Sequence, residues 1–225
     1  MKLATLFSGG KDSLFAAYIA SKTEEIICLI TVISENKESF MFHTPNINLT
    51  GTLAKAINIP LVTIKTRGNK EAELKDLKKA IQKAKKKFNI DGIVTGALAS
   101  TYQSARIQKI CNELNLHCFN PLWQKNQEEL LKDLIKNKFE VIITQVAAEG
   151  FSEEWLGTEL NKKTLEQLKL LWEKYKISLT GEGGEYESLV LNSPMHKKKI
   201  KILSSKKIMQ SSYSGYLKIE RVELI

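Results

Sequence analysis

Six consecutive residues near the start of the chain, Ser8-Gly9-Gly10-Lys11-Asp12-Ser13, are of the types that hold phosphate. They follow a short apolar run at residues 2–7 and lead into a helical pattern over residues 14–21. A strand that turns straight into a helix leaves the first backbone N–H groups of that helix without intrahelical partners. Glycines let the backbone approach a ligand and accept positive φ, and the helix dipole favours negative charge at this end. The segment therefore predicts an anion site suited to phosphate or pyrophosphate. Ser8 and Ser13 add hydroxyl donors, Lys11 a positive charge, and Asp12 a carboxylate able to hold Mg²⁺. The spacing is neither G-x-x-x-x-G-K-[ST] nor G-x-G-x-x-G, so a Walker A loop and a dinucleotide fingerprint are both excluded. A tight turn that caps a helix and binds nothing is the plainer alternative.

Four further segments carry unusual chemistry. Phe42-His43-Thr44-Pro45-Asn46 follows the second apolar run, where His43 either reaches a nucleotide or sits at a turn. Thr95-Gly96-Ala97 ends another apolar run and is followed by Ser100, Tyr102 and Arg106. Only three arginines occur, and Arg106 alone falls within a helical pattern. A planar guanidinium suits a two-pronged grip on carboxylate or phosphate; a surface salt bridge is the other reading. Phe151-Ser152-Glu153-Glu154-Trp155-Leu156-Gly157 sets an aromatic beside two carboxylates, although Trp155 would also serve as core. Gly181-Glu182-Gly183-Gly184-Glu185-Tyr186-Glu187 crowds three carboxylates and an aromatic onto a glycine-dense loop. Such close like charges repel unless a cation compensates them; a solvated acidic turn is the alternative.

Short apolar runs at residues 2–7, 26–33, 61–65, 92–95 and 141–146 read as buried strands. Amphipathic patterns lie between them. Leu74, Leu77, Ile81, Ala84 and Phe88 repeat by three and four, as do Ile107, Ile110 and Leu114. Leu165, Leu168, Trp172 and Tyr175 mark a further helix, with Trp172 read as core. Strand–helix alternation predicts an α/β fold with a mostly parallel sheet and helices on both faces. The alternation fades in the last third, where residues 188–191, 199–204 and 216–224 read as β runs. A boundary near Pro121 divides the chain into residues 1–120 and a smaller α+β region, residues 121–225.

The strand, loop and helix at the start resemble the PP-loop ATP pyrophosphatase superfamily, whose N-type members carry S-G-G-x-D-S there. That resemblance implies a Rossmann-like (adenine nucleotide alpha hydrolase-like) five-stranded parallel sheet of order 3-2-1-4-5. It also implies cleavage of ATP to AMP and pyrophosphate. With His-Thr-Pro-Asn (43–46), Tyr-Gln-x-x-Arg (102–106), Trp-Leu-Gly (155–157) and the loop at 181–187, the whole chain is similar to the diphthine–ammonia ligase family. Ser188 stands where Thr is common in that family, and Asn192 where Asp is common, so Asn192 is given no role.

The resemblance implies ATP-dependent amidation of diphthine on elongation factor 2, through an acyl-adenylate and with ammonium as nitrogen donor. Lys11 and Asp12 would serve catalysis, with Mg²⁺ on Asp12. Ser8, Gly9, Gly10, Lys11, Asp12, Ser13, His43 and Gly96 would bind ATP. Tyr102, Arg106, Trp155, Glu182, Gly183, Gly184, Glu185, Tyr186 and Glu187 would bind the protein substrate. The trimethylammonium of diphthine would rest on Tyr186, with neighbouring glutamates and Trp155, because aromatic faces attract such cations. Two other readings stay open: a tRNA-modifying PP-loop adenylating ligase, and a nucleotide-binding sensor without chemistry. The first leaves the 181–187 loop unexplained, and the intact Lys11-Asp12-Ser13 weighs against the second.

Lys and Arg number 34 against 25 Asp and Glu, a formal net charge of +9. That excess suits an acidic or phosphate-bearing partner in general without choosing one. It is almost wholly lysine on helical solvent faces, so no stable nucleic-acid partner is expected. Cys28, Cys111 and Cys118 cannot build a disulfide framework and form no C-x-x-C pair, which points to a reducing setting. The first apolar run is too short for a signal peptide and the longest is far below a membrane span, so a soluble cytoplasmic enzyme with no membrane contact is expected. The two regions leave no room for a glutaminase domain. A homo-oligomer remains compatible with all of this.

Overall fold

The computed structural model describes residues 1–34, 46–67 and 70–225, so His43 and its neighbours lie outside the described residues. The chain forms two compact units, Met1–Trp123 and Gln124–Ile225.

The first unit alternates β1 (Lys2–Leu6), α1 (Lys11–Ala20), β2 (Glu25–Ser34), α2 (Thr50–Ile57), β3 (Leu61–Thr66), α3 (Lys70–Phe88), β4 (Gly92–Val94), α4 (Thr101–Glu113) and β5 (His117–Phe119). Its five strands pair in parallel in the order β3-β2-β1-β4-β5. The middle of β2, Cys28–Val32, is buried on both faces because helices cover both sides of the sheet. One side joins Leu77, Ala80, Ile81 and Ala84 of α3 with Ile107, Ile110 and Cys111 of α4 over Ala4, Ile30, Val62 and Ile93. α1 packs on β1, β2 and β4 with Leu14, Phe15, Ala16 and Ala17 buried. Asparagine ends α2, α3 and α4: Asn58, Asn89 and Asn115 adopt positive φ, turning each helix back toward the next strand.

The fifth parallel strand is the short β5. Residues 141–146, of the same β-branched type, instead head an antiparallel sheet in the second unit, because sequence periodicity records burial but not pairing direction. That unit contains α5 (Gln127–Lys136), β6 (Glu140–Ala147), α6 (Lys162–Tyr175), β7 (Tyr186–Asn192), β8 (Ile200–Met209) and β9 (Ser214–Leu224). Its sheet order is β7-β6-β9-β8, with β6–β7, β6–β9 and β8–β9 all antiparallel. Trp172 is not core. It is 47% exposed, while Thr164, Leu165 and Leu168 carry the buried face of α6. The Lys176 ammonium lies 5.9 Å from the Trp172 ring, covering the flank of the helix. Among the described residues no helix is long and apolar enough to cross a membrane.

Candidate functional site

β1 and β4 are neighbours, yet their connections leave toward opposite sides of the sheet, which makes the carboxyl ends of these strands the topological switch point. The segment from Ser8 to Ser13 lies there. Phe7 is anchored at both polar groups: its N–H donates to Ile30 O at 2.8 Å, and its carbonyl accepts from the buried Thr31 hydroxyl at 2.7 Å. Gly9 then turns at φ +85°, and the extended Gly10 begins α1 without any side-chain cap. The loop is braced internally. Ser8 Oγ accepts from Gly10 N at 3.3 Å, and Ser13 Oγ donates to Gly10 O at 3.0 Å. A helix start that no side chain caps, shaped by its own serines, is the local geometry of an anion site.

Lys11 is 3% exposed, and its ammonium donates to Asp12 Oδ2 at 2.8 Å. The other carboxylate oxygen, Asp12 Oδ1, is buried with no hydrogen-bond partner. A buried unpaired carboxylate oxygen costs free energy unless something binds it. Among the described residues no group of three or more His, Cys, Asp or Glu could cage a metal. A magnesium ion, which typically takes one or two carboxylates and completes its shell from phosphates and water, fits that orphaned oxygen.

Gly96 closes the loop from the β4 side. A Cβ there would lie 2.7 Å from both Asp12 C and Ser13 N, so only glycine permits this backbone-to-backbone approach. Beyond it, Ser100 caps α4 by accepting from Gln103 N at 3.3 Å. The Arg106 guanidinium stacks 3.3 Å from the Tyr102 ring centroid, and its Nη1 donates to Tyr102 O at 3.3 Å. Among the described residues no carboxylate pairs with Arg106.

In the second unit the acidic segment is stapled rather than loose. Glu185 accepts from Ser178 N at 2.7 Å and from Gly183 N at 2.8 Å, one N–H to each oxygen. Ser178 Oγ donates to Gln127 Oε1 at 3.0 Å and accepts from Glu182 N at 3.1 Å. Tyr186 is 2% exposed, and its hydroxyl donates to Leu179 O at 2.8 Å. The expectation that Tyr186 offers its face to a cation is therefore corrected: the ring is sealed in the core and shapes the loop from beneath. Phe151 lies 6.1 Å from Tyr186 and makes an edge contact with Trp155 at 5.0 Å. Trp155 is the half-exposed end of this aromatic row, while Glu182, Gly183 and Gly184 are exposed and Glu187 is half-buried.

Lys11, Asp12 and Gly96 are thus assembled at one point, with Tyr102 and Arg106 on the helix that follows. Trp155, Glu182, Glu185 and Tyr186 gather around one turn of the second unit, and Glu187 follows Tyr186 on β7. Thr31, Gln127 and Ser178 support these two sites and carry no sequence signal, since single polar residues in a strand or at a helix start are common.

A parallel sheet in this order, with a glycine loop feeding α1 at its switch point, defines a doubly wound α/β protein with Rossmann-like strand order. Two family models divide the chain: the diphthamide synthase N-terminal domain matches residues 1–118, and the diphthamide synthase C-terminal domain matches residues 126–225. The chain belongs to the diphthamide synthase family, a family of ligases. A mouse (Mus musculus) protein named diphthine–ammonia ligase is 33% identical over 250 residues, spanning 100% of this chain and 92% of the mouse protein. The human (Homo sapiens) protein of that name is 33% identical, spanning 94% of this chain and 86% of its own length. The Schizosaccharomyces pombe protein of that name is also 33% identical, over 98% of this chain but 39% of itself. A solved structure described as a predicted subunit of tRNA methyltransferase from Methanocaldococcus jannaschii aligns at 18% identity with a TM-score of 0.47, over 86% of this chain and 98% of that one.

Proposed function

We propose that this protein amidates the carboxylate of diphthine on elongation factor 2, consuming ATP and ammonium and releasing AMP and pyrophosphate in the cytoplasm. The observation that carries the reading is the uncapped start of α1, closed from the side by Gly96 and bearing the buried Lys11 paired with the half-buried Asp12. A carboxylate is a poor electrophile. Attack of its oxygen on the α-phosphorus of ATP forms an acyl-adenylate and breaks the bond to the β-phosphate, releasing pyrophosphate. Ammonia then adds at the acyl carbon, AMP leaves, and one proton is lost as the amide forms.

The backbone donors at the start of α1 would receive the negative charge that develops on the leaving pyrophosphate, already oriented and partly dehydrated. Ser8 and Ser13 hold the loop in that shape, and Lys11 supplies a fixed positive charge beside it. Mg²⁺, held through Asp12, would neutralise phosphate charge. In the second unit, Glu182, Glu187 and Trp155 would meet the trimethylammonium of diphthine, a reading supported by the exposure of Glu182 and the half-exposed Trp155 ring, while Glu185 and Tyr186 hold the loop.

The test is incubation of the protein with ATP, Mg²⁺, ammonium and elongation factor 2 arrested at diphthine. Mass spectrometry of the factor should show an ATP-dependent change from carboxylate to amide, with AMP and pyrophosphate in equal amounts. Modification of a tRNA with the factor untouched, or ATP binding without any release of pyrophosphate, would refute the proposal.

A further inference from the structure

Asn120 lies just beyond β5 and outside every motif described above, yet it grips the segment that closes the phosphate loop. Its amide faces two backbone carbonyls, Thr95 O and Ala97 O. Two carbonyl oxygens can be satisfied only by a donor, so the amide nitrogen must point at them, and it then donates to each at 3.1 Å. The other end of the amide lies 3.4 Å from Ser104 Oγ, a hydroxyl on α4 that can donate to the amide oxygen. Both ends of Asn120 are thereby used. Its backbone is restrained as well: Pro121 limits it to extended conformations, Phe119 O accepts from Thr95 N at 2.9 Å, and Asn120 O accepts from Trp123 N at 3.1 Å.

The two carbonyls bracket Gly96, and Gly96 is the residue whose Cα side abuts the Asp12–Ser13 peptide. Thr95 Oγ1 also accepts from Ala97 N at 3.1 Å, which tightens the same three-residue bend. Chain connectivity alone cannot hold this bend against the loop, because β4 stops at Val94 and α4 starts at Thr101. We infer that Asn120 is a positioning residue for nucleotide binding, clamping Thr95 and Ala97 so that Gly96 fixes the first turn of α1 in its anion-binding geometry.

The inference rests on the proposed nucleotide site, and its test separates the two. Binding of α,β-methylene-ATP with Mg²⁺ is measured by calorimetry for the wild-type chain, Asn120→Asp and Ser104→Ala. Asn120→Asp preserves shape but sets carboxylate oxygens against both carbonyls. It should raise Kd about 10- to 100-fold, the scale expected when a binding geometry is displaced by a fraction of an ångström to an ångström, with an unchanged number of sites per folded chain. A role confined to folding would instead reduce the number of competent sites and leave Kd where it was. Ser104→Ala, which removes only the contact orienting the amide, should raise Kd several-fold, and it carries the test should Asn120→Asp not fold. Wild-type Kd in Asn120→Asp, or in Ser104→Ala when Asn120→Asp is unfolded, overturns the inference while leaving the nucleotide reading intact. No binding by the wild-type chain overturns the nucleotide reading, and this inference with it.

Discussion

Single side chains at the switch point have tightly specified surroundings, so their substitution should have specific effects. Gly96→Ala drives a methyl group into the backbone of Asp12 and Ser13 at 2.7 Å, where no flexible side chain can yield. The overpacking should cost about 1–3 kcal/mol of stability, seen in thermal unfolding, and should weaken ATP-analogue binding at least as strongly as any change at Asn120. Lys11→Met keeps most of the volume but leaves Asp12 without its cation, and should lower kcat by about 100-fold or more in a pyrophosphate-release assay. His196 behaves differently, since it lies in the second unit beside Ser193, with Nδ1 at 2.7 Å from Ser193 Oγ and a buried, unpartnered Nε2. Burial holds its pKa down to about 4, with Glu140 opposing. The folded value lies below the unfolded one of about 6.5. The stability conferred by the neutral ring is therefore complete above pH 6.5 and lost as pH falls toward 4. Burial pushes Glu140 up, but hydrogen bonds from Lys199 and Asn192 hold its carboxyl below its usual value. Between pH 7 and pH 5 the wild-type chain should lose about 1–2 kcal/mol more than His196→Asn, measured by urea unfolding. Equal losses would mean that the ring is protonated at little cost.

Among elements, the stapled acidic loop departs furthest from what its composition suggests. Three glutamates among glycines read as mutually repelling charges in need of a cation. In the folded chain Glu185 is satisfied by two backbone N–H groups, and a carboxylate so bonded orders a loop without any ligand. Glu185→Ala should cost about 1.5–3 kcal/mol, the range for hydrogen bonds to a charged group, and should reduce amidation in parallel with the loss of loop order. Tyr186→Phe removes one buried hydroxyl bond to Leu179 and should cost about 1 kcal/mol while leaving KM for the modified factor unchanged. A large rise in KM would restore the ring to the ligand site. Helix α3 behaved as its periodicity predicts, with Leu77, Ile81 and Ala84 wholly buried. Helix α6 did not, because periodicity gives the direction of a face but not how far the neighbouring sheet extends beneath the last turns.

On the scale of the whole molecule, the nitrogen source tests how the two units are used. Cys28 and Cys111 are fully buried, and burial pushes the Cys28 thiol up to about 12. The Cys111 thiol is raised by its hydrogen bond to Cys118 and by burial. Cys118 and His117 alternate along β5 and so face opposite sides of the sheet, which precludes a Cys–His pair. Cys28 and Cys111 therefore lack the thiolate character that glutamine hydrolysis by a cysteine nucleophile requires, and although the hydrogen bond from Cys111 holds the Cys118 thiol below its usual value, His117 faces away from it. Ammonium should support amidation by this chain and glutamine alone should not; equal rates with glutamine, abolished in Cys118→Ser, would make Cys118 the nucleophile and overturn this reading.

What the amino-acid order determined by itself was local: the strand, glycine loop and helix at residues 2–21, the amphipathic face of α3, the α/β class, and the motifs that resemble one ligase family. Each of these depends on spacing of two to seven residues, where backbone geometry leaves few choices. Only the tertiary structure decided that Gly96 would press against Asp12 and Ser13, that Asn120 would clamp its flanking carbonyls, and that Tyr186 would be buried. It also decided that Glu185 would accept backbone hydrogen bonds and that the fifth parallel strand would be β5. The contacts of Gly96 and Asn120 join residues brought near by sheet order, and those of Glu185 and Tyr186 arise from the way one irregular loop curls back on itself. Neither hydrophobic period nor residue type encodes which backbone a side chain will meet.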